Sequence, residues 1–353
     1  MAQWAKLAVV GLGLIGRRHV AAIAQSNSAS LCAVVDPSPE AKADAANLGC
    51  TVFDTLGDMV QTVRPDGVII ASPTPLHTAQ GLWCIDRGCP VLIEKPLAVT
   101  AADGERIVSA ASAAGVPVLV GHHRRHNPLI AKARAVIAEG LLGDIRAVHA
   151  QCWFYKPDAY FDAAPWRKQV GAGPISVNLV HDVDLLRHLC GEITHVQAQS
   201  TPSYRGYDNE DVAAALLRFA GGAIGTLTLS DAVVSPWSWE LTSCENPVYP
   251  PTDQSCYLIG GSRASLSLPD LRLWSHGKVP DWWSPISATT IIRDHADPLV
   301  NQIAHFAAVI AGEASPLVSA DEGAQSLRVI EAIQQSAATG HSIDLTPSSG
   351  GQG

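Results

Sequence analysis

Gly11-Leu12-Gly13-Leu14-Ile15-Gly16 has the spacing G-x-G-x-x-G. Glycines at those places permit a tight turn, a close approach of a pyrophosphate to the backbone and close packing of the following helix. The spacing by itself is a weak signal, because many turns need glycine. Its weight comes from the apolar run Lys6–Val10 before it and the helical pattern over 14–25 after it. A helix starting there offers free N–H groups and a positive dipole end to phosphates. Asp36 stands about 20 positions further on, where a carboxylate can accept hydrogen bonds from both adenosine ribose hydroxyls. Pro37-Ser38-Pro39 follows with no Arg or Lys, so a 2′-phosphate would meet a like charge. NAD is therefore expected as the cofactor rather than NADP. A loop aspartate capping the next helix is the plain alternative.

Two further groups have reactive side chains in suggestive places. Lys95, in Glu94-Lys95-Pro96, leaves the end of a strand read over Pro90–Ile93. A lysine at the carboxyl end of a parallel strand points into the crevice where open α/β sheets bind ligands. The proline after it can fix a sharp turn, cis included. On the helix read over 174–190, Ile175, Leu179, Val183, Leu186 and Cys190 form one apolar stripe at ~100° per residue. His181, Asp184 and His188 fall opposite the stripe, with Asn178 beside them. That polar face reads either as a site or as a solvated surface. Asp184, one turn from His181, could orient it or serve as an anchor.

The elements that must hold these residues fall into two textures. Lys6–Val10, Leu31–Asp36, Gly67–Ala71, Pro90–Ile93 and Val116–Val120 read as buried strands, with helical segments near 14–25, 39–48, 55–63, 75–87 and 101–114. Such alternation predicts a doubly wound parallel sheet, the Rossmann arrangement. From about residue 145 the strands lengthen and alternate, as in Ile145–Tyr155, Val212–Phe219, Ala223–Ser230 and Trp239–Ser243, with Ala220-Gly221-Gly222 as a hairpin turn. Helices near 297–312 and 320–338 complete an α+β domain of largely antiparallel open sheet. The expected boundaries are 1–122 for the first domain, 123–345 for the second and 346–353 for a flexible tail.

Length and charge narrow the class. A chain of 353 residues suits two domains. A net charge of −9 gives no general field for nucleic acid or an anionic membrane surface. No apolar stretch reaches the roughly 18 residues that span a bilayer, and the glycine-broken run at 7–16 lacks a signal-peptide cleavage pattern. A cytoplasmic protein acting on a small molecule is expected. The 8 cysteines, without a C-x-x-C pair, read as reduced buried hydrophobes rather than zinc ligands or disulfides.

Taken in order, Gly11 to His19 (G-x-G-x-x-G-x-x-H), Ser72-Pro73-Thr74-Pro75-Leu76-His77, Glu94-Lys95-Pro96 and Gly171-Ala172-Gly173 with His181 and Asp184 resemble the glucose–fructose oxidoreductase/inositol dehydrogenase family, Gfo/Idh/MocA. The resemblance covers nearly the whole chain. It implies that Lys95 contacts both cofactor and substrate and that His181 is the acid/base near the nicotinamide. It also implies cofactor contacts at Gly11, Gly13, Leu14, Ile15, Gly16, Asp36, Ser72, Thr74, His77, Glu94 and Arg167, with Trp166 on the substrate side. The chemistry supports the pair independently. Hydride loss from a carbinol leaves an oxygen that must shed its proton to a base, and a nearby ammonium stabilises the developing charge.

One position departs from the family pattern. An aspartate commonly stands four residues before this histidine, where this chain has Val177, with Asn178 next to it. An amide can hold a hydroxyl but cannot take its proton, which leaves His181 as the base and makes Asn178 and Asp182 the candidates to compensate. Arg125 and Asn127, in Gly121-His122-His123-Arg124-Arg125-His126-Asn127-Pro128, are expected as substrate contacts. The histidines of that run could suggest a metal, but the adjacent basic charge repels a cation, and no metal is expected. Trp237, Trp239, Trp274, Trp282 and Trp283 are dense for one domain; most read as core or interface, and some could shape a flat, apolar-faced pocket.

The leading expectation is an NAD-dependent dehydrogenase of a sugar, cyclitol or related polyol. The alternatives are a dehydrogenase of a cyclic diol in aromatic catabolism, a non-catalytic NAD-binding regulator, and a hydrolase that uses NAD transiently. The resemblance also implies a homodimer or homotetramer formed through the second sheet.

Overall fold

Val, Ile and Leu in unbroken runs bury both faces of a strand, and the first sheet is built from such runs. A computed structural model describes residues 4–277 and 279–346. The first three residues and all of the expected tail but Thr346 lie outside the described residues. The chain divides into two compact units, one up to Asn127 with Ala296–Leu327, the other Pro128–His295 with Arg328 onward.

The first unit holds a six-stranded parallel sheet of β1 (Ala5–Val10), β2 (Ala29–Val35), β3 (Thr51–Phe53), β4 (Gly67–Ile70), β5 (Val91–Ile93) and β6 (Val118–Val120), in the order β3-β2-β1-β4-β5-β6. β4 and β5 are buried along their whole length. The order reverses between β1 and β4, and it is outside the carboxyl ends of strands at such a switch point that open α/β sheets bind ligands. The helix Ala101–Ala114 begins and ends where the sequence predicts. The Thr100 hydroxyl accepts the Asp103 N–H at 3.1 Å, and Gly115 closes the helix at φ 64°.

The helix Pro298–Ile310, expected in the second domain, belongs to the first unit. Leu299, Ile303, Phe306 and Val309 pack with Leu7, Val9, Ile69, Leu92 and Leu119 on one face of the parallel sheet. Gly67 makes room for them, since a Cβ there would lie 2.6 Å from the Ile310 methyl and 2.8 Å from the Phe306 ring. Burying one such side chain is worth about 1.5–3 kcal/mol. Leaving that sheet face open would cost several such terms, and sequence order carries no sign of this return. The helix Ala320–Thr339 is shared: Ala320, Ala324 and Leu327 join the first unit's core, and Val329, Ile330, Ala332 and Ile333 the second's.

The second unit holds a nine-stranded sheet of β7 (Ile145–Trp153), β8 (Ile193–Pro202), β9 (Glu210–Phe219), β10 (Ile224–Ser230), β11 (Tyr257–Gly261), β12 (Ala264–Leu268), β13 (Arg272–Ser275), β14 (Ser287–Thr290) and β15 (Ile343–Asp344). The order is β14-β13-β12-β11-β7-β10-β9-β8-β15. β7 and β10 run parallel, and the other pairs in that order are antiparallel. The expected hairpin joins β9 to β10, with Gly222 at φ 86°. Trp239–Ser243, read as a strand, is a helical turn over Trp239–Thr242. The Thr242 hydroxyl closes that turn on the Ser238 carbonyl at 2.7 Å, a local bond that outweighs β propensity in so short a run.

No helix among the described residues is long and apolar enough to cross a membrane. The cysteines are free thiols. Burial pushes Cys32 and Cys89 up to about 11 and Cys84 and Cys190 up to about 12, so these four behave as hydrophobes rather than nucleophiles.

Candidate functional site

The first unit carries a cradle at the end of β1. Gly11 takes φ 88°, and a Cβ on it would lie 2.8 Å from the Ala71 carbonyl and from Ser72, the residues that follow β4. A Cβ on Gly16 would run into the Gly11 carbonyl oxygen, so the helix Leu14–Gln25 can start this close to the loop only with glycine there. Gly13 caps that helix without a side-chain hydrogen bond, its first turn has no acidic residue, and a Cβ on Gly13 would meet nothing within 4 Å. Bare N–H groups beneath open space fit a diphosphate. Leu14 is 87% exposed beside that space, whereas Ile15 packs into the core.

Asp36 braces the loop. The Leu12 N–H donates to one carboxylate oxygen at 2.7 Å and the Ser38 N–H to the other at 2.9 Å. Burial pulls the carboxyl up, but these bonds outweigh it and hold Asp36 below its ordinary value. Each oxygen keeps a second lone pair, which is what two ribose hydroxyls need.

Ser72, Thr74 and His77 follow β4. The Ser72 hydroxyl donates to the Gln80 side chain at 2.6 Å, and Thr74 opens a short 3-10 turn. His77 and Glu94, expected as cofactor contacts, are buried and hydrogen-bonded within the protein. The His77 ring nitrogens lie 2.9 Å from the carbonyl oxygens of Pro96 and Ser72. The Glu94 carboxylate pairs with His19 Nε2 at 2.8 Å. Burial would raise Glu94, yet the His19 hydrogen bond and the charges of His19, His123 and Lys95 hold it low. Lys95, half-buried, sits between Glu94 and Pro96, each anchored by one of these histidines, and the Lys95–Pro96 peptide is cis.

Arg125 and Asn127, expected as substrate contacts, are both buried. Arg125 is buried, and its guanidinium pairs with Glu322 at 2.6 Å, tying the turn His123–His126 to the helix Ala320–Thr339. Asn127 is buried at the end of the same turn. A buried guanidinium paired with a carboxylate far along the chain braces the fold, and only that partner reveals it.

In the second unit the expected helix breaks once. A short turn over Pro174–Val177 gives way at Asn178, where the His181 N–H bonds the Asn178 carbonyl at 3.2 Å, and Leu179–Cys190 continues. On the face opposite the apolar stripe His181 and Asp184 are buried and Asn178 and His188 half-buried, so it is not a solvated surface. The flanking Asp182 and Arg187 are buried as well. The Asp182 carboxylate accepts the Tyr257 hydroxyl of β11. That bond engages Oδ1 of a residue read from the sequence as a substrate contact. Asn178 is different, because its Oδ1 is buried with no hydrogen-bond partner. Such an atom is costly unless a ligand hydroxyl or amine meets it.

Trp166 is exposed, and Arg167, expected at the cofactor, stacks 4.2 Å over the Tyr160 ring and donates to the Tyr160 carbonyl at 2.7 Å. The tryptophans do not form one wall. Trp239 is in the core 5.9 Å from the Tyr257 ring, and Trp237 meets Trp153 edge-on. Trp274 donates to the Ser267 hydroxyl at 3.3 Å, and Trp282 and Trp283 are about nine-tenths exposed.

Sequence reading missed a buried ion cluster beyond the carboxyl ends of the parallel pair β7 and β10. Lys156 Nζ lies 3.4 Å from Asp231 Oδ2, and Arg205 reaches Asp231 Oδ1 at 3.3 Å. Burial lowers the Lys156 ammonium and raises the Asp231 carboxyl, each against the pull of the other. No spacing marks these three residues; Lys156 follows an aromatic run and Asp231 follows a strand.

Residues 5–122 match the family model described as an oxidoreductase family with an NAD-binding Rossmann fold, and residues 130–266 match the Gfo/Idh/MocA C-terminal domain. The cofactor of the first unit is accordingly NAD. The rhizopine catabolism protein MocA of Rhizobium meliloti is 33% identical over 187 residues, 53% of this chain and 57% of that protein. The inositol 2-dehydrogenase of Mycolicibacterium gilvum is 33% identical over 226 residues, 62% of each chain. The chain thus spans less than two thirds of the length of these curated relatives. Among solved structures, the WlbA dehydrogenase from Bordetella pertussis, in complex with NADH and UDP-GlcNAcA, is 27% identical with a TM-score of 0.78. That alignment covers 98% of this chain and 100% of the other.

Proposed function

Because the chain belongs to the Gfo/Idh/MocA oxidoreductase family, we propose that it is an NAD-dependent dehydrogenase of CH–OH groups, passing hydride between NAD and a secondary alcohol of a sugar, cyclitol or related polyol. The observation that carries this reading is the start of the helix Leu179–Cys190. A buried imidazole, His181, lies one turn after an amide, Asn178, whose oxygen has no partner. NAD supplies the hydride acceptor. A ring nitrogen of His181 takes the hydroxyl proton, and the Lys95 ammonium stabilises the oxygen that loses it. Asn178 holds a neighbouring hydroxyl. Val177 cannot carry a proton and Asp182 is bonded to Tyr257, which favours His181 as the proton acceptor. The name of the inositol-oxidising relative supports the polyol class.

A panel of polyols, sugars and cyclic diols, run with NAD and NADP in parallel and followed by nicotinamide absorbance, tests the proposal. Turnover with a polyol and a clear preference for NAD are expected, and Asp36→Ala should shrink that preference by about tenfold, the equivalent of one charge-assisted bond. Turnover confined to cyclic diols would move the substrate to aromatic catabolism. Tight NAD binding with no turnover on the whole panel would defeat the dehydrogenase reading in favour of a regulator.

We also infer a homodimer or homotetramer through the outer face of the second sheet, where Leu216, Ile224 and Leu258 are about half exposed on β9, β10 and β11. Sedimentation should give a dimer or tetramer. A monomer at micromolar concentration would sink the assignment.

A further inference from the structure

Two buried histidines meet the same turn from different elements. His19 comes from the helix Leu14–Gln25, one turn after Gly16, and its Nε2 pairs with the Glu94 carboxylate at 2.8 Å. The other Glu94 oxygen accepts the Lys95 N–H at 3.1 Å. Gly121 keeps the space open for that carboxylate, since a Cβ there would lie 2.7 Å from it. His77, at the start of the helix His77–Asp86, places Nδ1 2.9 Å from the Pro96 carbonyl and Nε2 2.9 Å from the Ser72 carbonyl. The residues on either side of Lys95 are therefore each fastened to a buried imidazole, one to the helix that opens the glycine loop and one to the loop after β4.

We propose that His19 and His77 are positioning residues that clamp the Glu94-Lys95-Pro96 turn and set where the Lys95 amine stands. The idea rests on Lys95 being the working lysine of the proposed dehydrogenase. Neither histidine needs to touch substrate. The physical argument is one of restraint. A lysine has a flexible four-carbon stem, and its ammonium is useful to a reacting oxygen only if the backbone beneath it is fixed. Three neighbouring points are held here: the Glu94 side chain by His19, the Lys95 N–H by Glu94, and the Pro96 carbonyl by His77. A peptide turn held in this way loses little order when a cofactor arrives. Because His19 lies in the helix that offers N–H groups at the glycine loop, the clamp also ties that loop to the lysine turn.

The test is competitive labelling of lysine amines in the full chain with a limiting acylating reagent, read by peptide mass spectrometry, with and without NAD. Exposed Lys6 and Lys42 serve as internal references. Without NAD, His19→Leu and His77→Leu should change the Lys95 rate relative to the references by about tenfold, the factor that loss of one buried hydrogen bond gives. Glu94→Gln, which keeps one of the two acceptor oxygens, should fall between wild type and Glu94→Ala, and Glu94→Ala should behave like the histidine variants. Circular dichroism checks folding, and His19→Ala and His77→Ala, which also remove the hydrogen bond, replace any leucine variant that fails to fold. Equal Lys95 rates in folded clamp variants and wild type would overturn the proposal, whatever NAD does. Wild-type Lys95 left unprotected by NAD would count against the lysine's role at the cofactor only, and the clamp would still be judged from the NAD-free rates.

Discussion

Replacing His181 with alanine is expected to lower kcat by about 10²–10⁴-fold, the range for loss of a positioned acid/base, while the Kd for NAD stays near wild type. The residues that fit NAD, from Gly11 to Asp36, lie in the first unit, whereas His181 is on a helix of the second. Val177 carries no ionisable group and Asp182 Oδ1 is bonded to the Tyr257 hydroxyl, so the proton is expected to pass to His181. Lys95→Ala should also depress kcat, by about 10²–10³-fold, as expected when a preorganised charge opposite a developing oxyanion is removed. Steady-state nicotinamide absorbance with an active polyol and NAD titration by protein fluorescence check both. Near-wild-type turnover in the two folded variants would remove these residues from the reaction.

Gly16→Ala should have the larger effect on binding. A Cβ at this position meets the backbone oxygen of Gly11, and neither partner is the movable end of a side chain. The helix Leu14–Gln25 must shift, which takes its N–H groups away from the place they are aimed. The Kd for NAD is expected to rise by more than about tenfold, with Tm lowered by roughly 2–4 °C for each kcal/mol lost. Gly13→Ala provides the contrast, because its Cβ enters open space; it should spare Tm and weaken NAD alone. If isothermal titration gave Gly16→Ala the affinity of wild type, the cradle would not be where NAD binds.

Much of the cofactor half was legible in the sequence. The glycine spacing, Asp36 and the strand before Lys95 are local features, and local features are set by short-range sterics and periodicity. Side-chain roles that depend on a distant partner were not legible. His77 and Glu94 read as cofactor contacts and Arg125 as a substrate contact, but each is held by a residue far along the chain or beyond a turn: Pro96, His19 and Glu322. The helix carrying His181 was legible by its period, yet that period could not separate a solvated polar face from a buried one. β3, β8 and the strands from β11 to β15 were missed because short or mixed runs give little alternation to read.

The sequence by itself determined the two-unit plan of a parallel and a largely antiparallel sheet, the glycine loop with Asp36, and the candidate pair Lys95 and His181. Burial of hydrophobic runs and the geometry of glycine leave few other solutions to such patterns. Tertiary structure alone decided that Pro298–Ile310 returns to cover the first sheet, that Asp182 is tied to Tyr257, and that two buried imidazoles hold the turn around Lys95. Those outcomes turn on which desolvated groups find partners, and a buried polar atom is satisfied by whatever the fold brings within about 3 Å, at any distance along the chain.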